Sequence, residues 1–368
     1  MEVFFTIFAF LPLLFIVFGV LFGIMRGTKK TLIRFMIILA TTAILFVVTK
    51  PITSGVLGSL MSGFAADLTN HGVPVDTVNS LISGLFAPLV FLVLFIVVNM
   101  LSWIFFAIFT RGVDPQGKLG GAIIGGIAGL FIAIAFMMPF NGYFKFADEN
   151  HATLTELVET LEEVDVDFPF DIGILDDFIS PIRSFNQNIV TSTMNHATIP
   201  LFNHLTGGIL EAITDVIDIL GSGAGALRDL INGIENGFGE LTRENMSDIG
   251  ALLDRVAGNA LFDNFTLGSI FGIVSGDVDF TDIVPFDYLD GITNQDIQEI
   301  VDALFNLRLS DFNFQQTFTA LFDVFQLTEA EPAPPDDEIV TALFVVIDTL
   351  PLNLMPQLVR DLIDGFRP

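Results

Sequence analysis

The chain has 368 residues, of which 52% are hydrophobic and 16% charged, with a mean hydropathy of +0.69; soluble domains carry about 25% charged residues. Its 43 Asp and Glu against 15 Lys and Arg give a net charge of −28, which argues against a nucleic-acid partner, and the hydropathy excludes a disordered chain. No cysteine is present, which removes disulfide frameworks, thiol catalysis and Cys-ligated metal centres.

Charge is unevenly placed along the chain. Residues 1–140 hold four acidic residues (Glu2, Asp67, Asp76, Asp114) and seven basic ones, whereas residues 141–368 hold 39 acidic and eight basic, a net of −31. This division predicts a transmembrane domain over 1–140 and a soluble acidic domain over 141–368. In the first, uncharged apolar runs cover residues 3–25, 35–48, 85–110 and 119–140. A run of 22 residues, the length of the last, reaches about 33 Å as a helix, enough for a hydrocarbon core of about 30 Å. The run at 35–48 is short and spans only if extended back to residue 32, with Arg34 snorkelling to the interface. Four transmembrane helices are therefore expected, at about 3–25, 32–48, 85–110 and 119–140. The first is expected to remain as a helix rather than be cleaved, because basic residues come after it and no small-x-small site does.

The segment at 26–34 carries Arg26, Lys29, Lys30 and Arg34, and that at 111–118 carries Arg111 and Lys118 against Asp114, whereas residues 51–84 have no Lys or Arg. Positive charge marks cytoplasmic loops, so both ends of the chain and the acidic domain are expected outside the cytoplasm. Stretches 54–69 and 75–85 are expected to form short amphipathic or re-entrant helices at the outer face. Gly121, Gly125 and Gly129 recur every four residues in the fourth run, and Gly19, Gly23 and Gly27 do so at the end of the first. Lipid supplies no hydrophobic drive between helices, so such stripes predict close helix–helix packing, either within one chain or between two. No carboxylate, Lys or His lies midway along any run, which counts against a pump but leaves a passive pore open.

Two elements in this stretch conform to a known pattern: Arg26-Gly27-Thr28 with Lys29, Lys30 and Arg34 after it, and Lys118-Leu119-Gly120-Gly121 running into Gly125 and Gly129. In order and spacing, residues 1–140 resemble the colicin V production protein (CvpA) family. Thr28 stands where that family carries an aromatic residue, and the next Arg is displaced. The resemblance implies a small polytopic membrane protein needed for toxin biosynthesis, bacteriocin export and envelope homeostasis, with no catalytic residues in its membrane part. The membrane fold is expected to rest on Arg26, Gly27, Lys118, Gly121, Gly125 and Gly129, in structural roles. Some members carry an extracytoplasmic serine protease after the fourth helix.

In the acidic stretch, residues 153–164 place Leu154, Leu157, Val158, Leu161 and Val164 on one stripe with carboxylates opposite, the spacing of a half-buried helix. Similar helices are expected at 209–220, 225–234, 246–256, 296–307, 314–325, 338–349 and 355–363, with a Pro-rich linker at 329–338. Neither Gly-x-Ser-x-Gly nor Gly-Asp-Ser-Gly occurs, and no β-rich pattern is seen, so a protease is disfavoured. His196 and His204 lie eight residues apart without a third ligand at metal spacing. Asp165 and Asp167 are echoed by Asp277 and Asp279, weak candidates for a hard cation, but neither cluster has the twelve-residue calcium loop. Solvated turn residues are the plainer reading of both. Gly221-Ser222-Gly223-Ala224-Gly225 lacks the spacing of a phosphate or dinucleotide loop, and no cofactor is expected.

The whole reads as an all-α protein: a four-helix transmembrane unit leading into an α-helical acidic extracytoplasmic domain, multi-pass in the cytoplasmic membrane. The expected role is non-enzymatic, an accessory or scaffold in bacteriocin or toxin export, with the lipid bilayer and a protein partner of the outer domain as partners and oligomerisation open. A channel or transporter subunit and a membrane-anchored receptor are the alternatives. The acidity has two readings, attraction of cations or basic partners and adaptation to a salty exterior.

Overall fold

A computed structural model describes residues 2–70, 72–110, 116–162, 173–236, 241–269, 303, 305–328, 336–355, 357 and 360. Among them the helices are α1 (Glu2–Ala9), α2 (Leu11–Leu60), α3 (Ser62–Asn70), α4 (Val75–Phe109), α5 (Lys118–Glu162) and α6 (Gly173–Gln187). They continue as α7 (Ile189–Thr206), α8 (Ile209–Ser222), α9 (Ala224–Asn236), α10 (Arg243–Ala257), α11 (Phe314–Thr328) and α12 (Asp336–Asp348). The described residues contain no strand, only an isolated antiparallel bridge between Thr266 and Arg308. The fold is all-α. Three helices are long and apolar enough to cross a membrane: Leu11–Leu60, Val75–Ile108 and Lys118–Thr160.

The chain forms two compact units, one of Met1–Ser62, Asn79–Ala152 and Pro169–Thr214, the other of Gly63–Val78, Thr153–Phe168 and Asp215–Pro368. This division differs from the charge boundary near residue 140. Helix α5 passes through that point unbroken, and residues 153–162, expected as a separate amphipathic helix, are its last turns. Likewise, stretch 75–85 is the start of α4 and stretch 54–60 the end of α2, with α3 between them. Pro51, Pro88 and Pro139 all lie inside helices; Pro88 and Pro139 are buried, and packing against neighbouring helices lets long apolar helices tolerate proline. The expected helices at 296–307 and 355–363 lie largely outside the described residues, as does the linker from 329 to 335.

In the first unit, α2 is two helical arms, 11–26 and 28–60, joined only by Gly27 in a non-helical conformation. Arm 11–26 runs antiparallel to α5: Gly129 meets the Phe15 backbone, Gly125 meets Gly19, and Gly121 meets Gly23. Arm 28–60 runs parallel to α5, with Thr28 at Gly117 and Phe35 against Phe131. The two arms are thus an antiparallel hairpin with a one-residue turn. Farther along, Leu45, Phe91, Phe95, Met138, Phe202 and Leu205 form the core shared by α2, α4, α5 and α7, while α1 and α6 close on α5 through Phe5, Met137 and Phe185. Buried amides bridge these helices, Asn141 donating to Thr198 at 3.0 Å and Asn150 to Thr214 at 3.1 Å. Val47 is 74% exposed and Met100 68%; such wide apolar exposure on long helices suits a lipid environment rather than water.

The second unit contains α9 to α12. Ala257, Phe265 and Leu309 form its core with Val73 beside them, and α10 packs on α11 so tightly that a Cβ at Gly250 would meet the Gln315 backbone. Thr242 and Asn245 cap the start of α10 reciprocally. The Asp254 carboxylate accepts from the backbone N–H groups of Phe314 at 2.6 Å and Gln315 at 3.1 Å, which caps α11 from a neighbouring helix.

Candidate functional site

The turn at Gly27 organises the most distinctive cluster in the first unit. Gly27 has φ 73° and ψ 171°, a region essentially restricted to glycine. Its partner across the bundle, Gly117, also has a positive φ of 74°. Thr28 ties the two together: its N–H donates to the Gln116 carbonyl at 2.8 Å and its hydroxyl to the Gly117 carbonyl at 2.5 Å. The stripes Gly19–Gly23 and Gly121–Gly125–Gly129 then lie face to face, each glycine's missing Cβ giving room to a backbone carbonyl of the other helix. The two glycine stripes are therefore partners of each other within one chain.

Beside this seam two guanidinium groups share the same aromatic rings. Arg34 Cζ lies 4.4 Å from the centre of the Trp103 ring and 5.6 Å from that of Phe106. Arg26 Cζ lies 4.8 Å from Trp103, 5.0 Å from Phe106 and 5.1 Å from Phe22. These are cation–π distances. Among the described residues neither guanidinium forms an ion pair, and Arg34 Nη1 is buried without a hydrogen-bond partner. Arg34 lies along α4, with its guanidinium over Trp103 and Phe106.

Both arginines and Trp103 line a cavity of about 290 Å³, whose remaining wall includes Phe15, Phe18, Ile38 and Ile132. Arg26 stands 11 residues from Phe15 on the same helical arm, about 16 Å along the axis, so the cavity is charged at the Gly27 end and apolar at the other.

Of the residues singled out in the sequence, Arg26, Gly27, Gly121, Gly125 and Gly129 all meet at this seam, and Lys118 is exposed in the first turn of α5. Trp103 and Phe106 were not singled out; the sole tryptophan of the chain, set in an uncharged run, was the available signal. Asp165, Asp167, Asp277 and Asp279 lie outside the described residues, as do His71, Arg111 and Asp114. Among the described residues no three His, Asp or Glu are grouped as a metal site. His196 and His204 lie on one helix eight residues apart, about 12 Å, too far to share an ion. His196 Nδ1 lies 3.2 Å from the Ser192 carbonyl, and His204 lies against Phe46.

In the second unit, Arg243 and Asp323 form a two-point pair at 2.9 and 3.1 Å on the edge of an open cavity of about 530 Å³. The hydrogen bond that Asp323 accepts, then its charge, holds the Arg243 guanidinium above its ordinary range. Both side chains are exposed, so the pair positions α10 against α11 rather than poising a reactive group. No family model, curated protein or solved structure matches the chain.

Proposed function

We propose that the protein is a multi-pass component of the cytoplasmic membrane with four transmembrane helices, and that it serves as a non-catalytic accessory or scaffold in toxin or bacteriocin export and envelope homeostasis. The α2 hairpin supplies two spans, α4 and α5 one each. The Gly27 turn and segment 111–118 face the cytoplasm, where their basic residues are favoured, and the acidic stretch lies outside.

The observation that carries this reading is the meeting of the two sequence elements that resemble the colicin V production protein family. They are 89 residues apart in the chain, yet Thr28 and Gly117 are hydrogen bonded, and the glycines next to each element interlock. Close backbone approach of this kind is what small-residue stripes supply between membrane helices. The absence of a grouped His, Asp or Glu site among the described residues is compatible with a scaffold but does not itself argue for one.

Topology is tested by exploiting the lack of cysteine. Gln116→Cys and Ser222→Cys, both at exposed positions, are labelled separately in intact cells with a membrane-impermeant thiol reagent. Labelling at 222 with protection at 116 is expected; the reverse pattern inverts the orientation and removes the export reading. For the role itself, a strain lacking the gene is expected to secrete less peptide toxin and to leak periplasmic or surface markers, both restored by the intact gene. Normal secretion and an intact envelope in that strain would sink the role, and ion flux through liposomes holding the pure protein would assign a channel instead.

A further inference from the structure

Arg26, Arg34 and Trp103 surround one end of a cavity whose other end is apolar, and among the described residues no carboxylate neutralises the two charges there. We propose that this cavity binds an anionic phospholipid, with the headgroup phosphate between the Arg26 and Arg34 guanidinium groups and the start of one acyl chain along Phe15, Ile38 and Ile132. The inference rests on the membrane-embedded reading above but not on the export role.

Three observations converge on a phosphate-bearing amphiphile. First, two like charges hold to the same two rings at 4.4–5.6 Å, an arrangement that repels itself unless an anion joins it. Planar guanidinium groups suit phosphate oxygens through paired N–H donors. Second, Arg34 Nη1 is buried with no acceptor among the described residues, and a buried charged donor left unpaired is strongly disfavoured. Third, the volume of about 290 Å³ sits at the low end of ligand-sized pockets, about 300–1,000 Å³. It suits a phosphate and the first part of one chain rather than a whole lipid, and leaves the remainder in the bilayer. The charged end lies at the Gly27 turn, the level at which the cytoplasmic headgroups of anionic lipids lie. A free inorganic anion would use the arginines but leave the apolar wall empty.

Trp103 is the only tryptophan in the chain, so its emission reports this cavity alone. The purified full-length protein is held in neutral-detergent micelles and titrated with phosphatidylglycerol, with phosphatidylcholine or with inorganic phosphate. A saturable change in Trp103 emission is expected with phosphatidylglycerol only. Arg34→Gln is expected to weaken the response about tenfold or more, and Arg34→Lys, which keeps the charge but loses the planar fork, to weaken it less. An equal response to phosphatidylcholine would overturn the proposal as a general lipid effect. Saturation by inorganic phosphate at matched ionic strength would overturn it in favour of a free-anion site. An unchanged titration by Arg34→Gln with an intact thermal transition would also overturn it. Native mass spectrometry of the unmodified protein keeps the test decisive should the variants misfold: retained phosphatidylglycerol in preference to phosphatidylcholine is expected, and no preference removes the proposal.

Discussion

Gly27 carries the turn of α2 by itself. Its φ of 73° with ψ of 171° would strain any L side chain by about 1–3 kcal/mol, and it packs beneath Gly121, whose missing Cβ would meet the Gly27 backbone. Gly27→Ala should lower stability by that amount, read from thermal unfolding in detergent. Gly58→Ala, on the same helix but facing open space, should be neutral or slightly stabilising. Comparable losses from both would show that the turn is not under strain. In the second unit Asp254→Ala removes two bonds to the start of α11 and should cost about 1–2 kcal/mol, read from the helical signal during denaturation. No effect would mean that water replaces the cap. Gly27 stood out in the sequence through its place in the Arg-Gly element, whereas Asp254 did not. Its role comes from a helix about sixty residues away, and local pattern carries no sign of such a partner.

At the scale of elements, the seam between arm 11–26 and the start of α5 depends on backbone approaching backbone. Gly125→Leu places a side chain against the Gly19 carbonyl and should destabilise the bundle by about 1–3 kcal/mol or more; retention of the native thermal midpoint would show that the helices can separate without loss. The four-residue glycine period was legible in the sequence because small residues there have no other use, but which helix received each stripe was not. Helices α6 and α7 were missed altogether. Pro181 and Pro200 lie inside them, where proline is locally unfavourable, and α7 is rich in Thr and Asn, residues that favour caps and turns in isolation. It forms because Phe202 and Leu205 are buried in the core with Phe91 and Met138 and because Thr198 is bonded by Asn141. Tertiary packing overrides local preference there. The cavity was hidden for the same reason: Arg26, Arg34 and Trp103 lie on separate helical segments, and only the fold brings their side chains together.

For the molecule as a whole, charge is the dominant imbalance. A net of −31 over residues 141–368 repels itself and works against compactness. Raising ionic strength from about 0.01 M to about 1 M shortens the screening length from about 30 to about 3 Å, so unfolding of the acidic stretch should shift to higher temperature. At matched ionic strength Ca²⁺ should do no more than Na⁺. A saturable gain at low Ca²⁺ would instead point to specific carboxylate ligation, with Asp165, Asp167, Asp277 and Asp279 the first to test. The charge division was plain in the sequence, yet it did not predict the compact units. Residues 173–214 lie beyond the charge boundary but pack in the first unit, because buried side chains such as Phe185, Phe202 and Leu205 decide where the segment docks.

The hairpin turn at Gly27 also bears on how the gene can change. Each residue added to a helix turns the part beyond it by about 100°. With a single residue joining the arms, an added codon there would swing Arg34 away from Trp103 and Thr28 away from Gly117. A longer connection would absorb the same change. A length change at this turn therefore costs both contacts at once, whereas one in a longer connection costs neither.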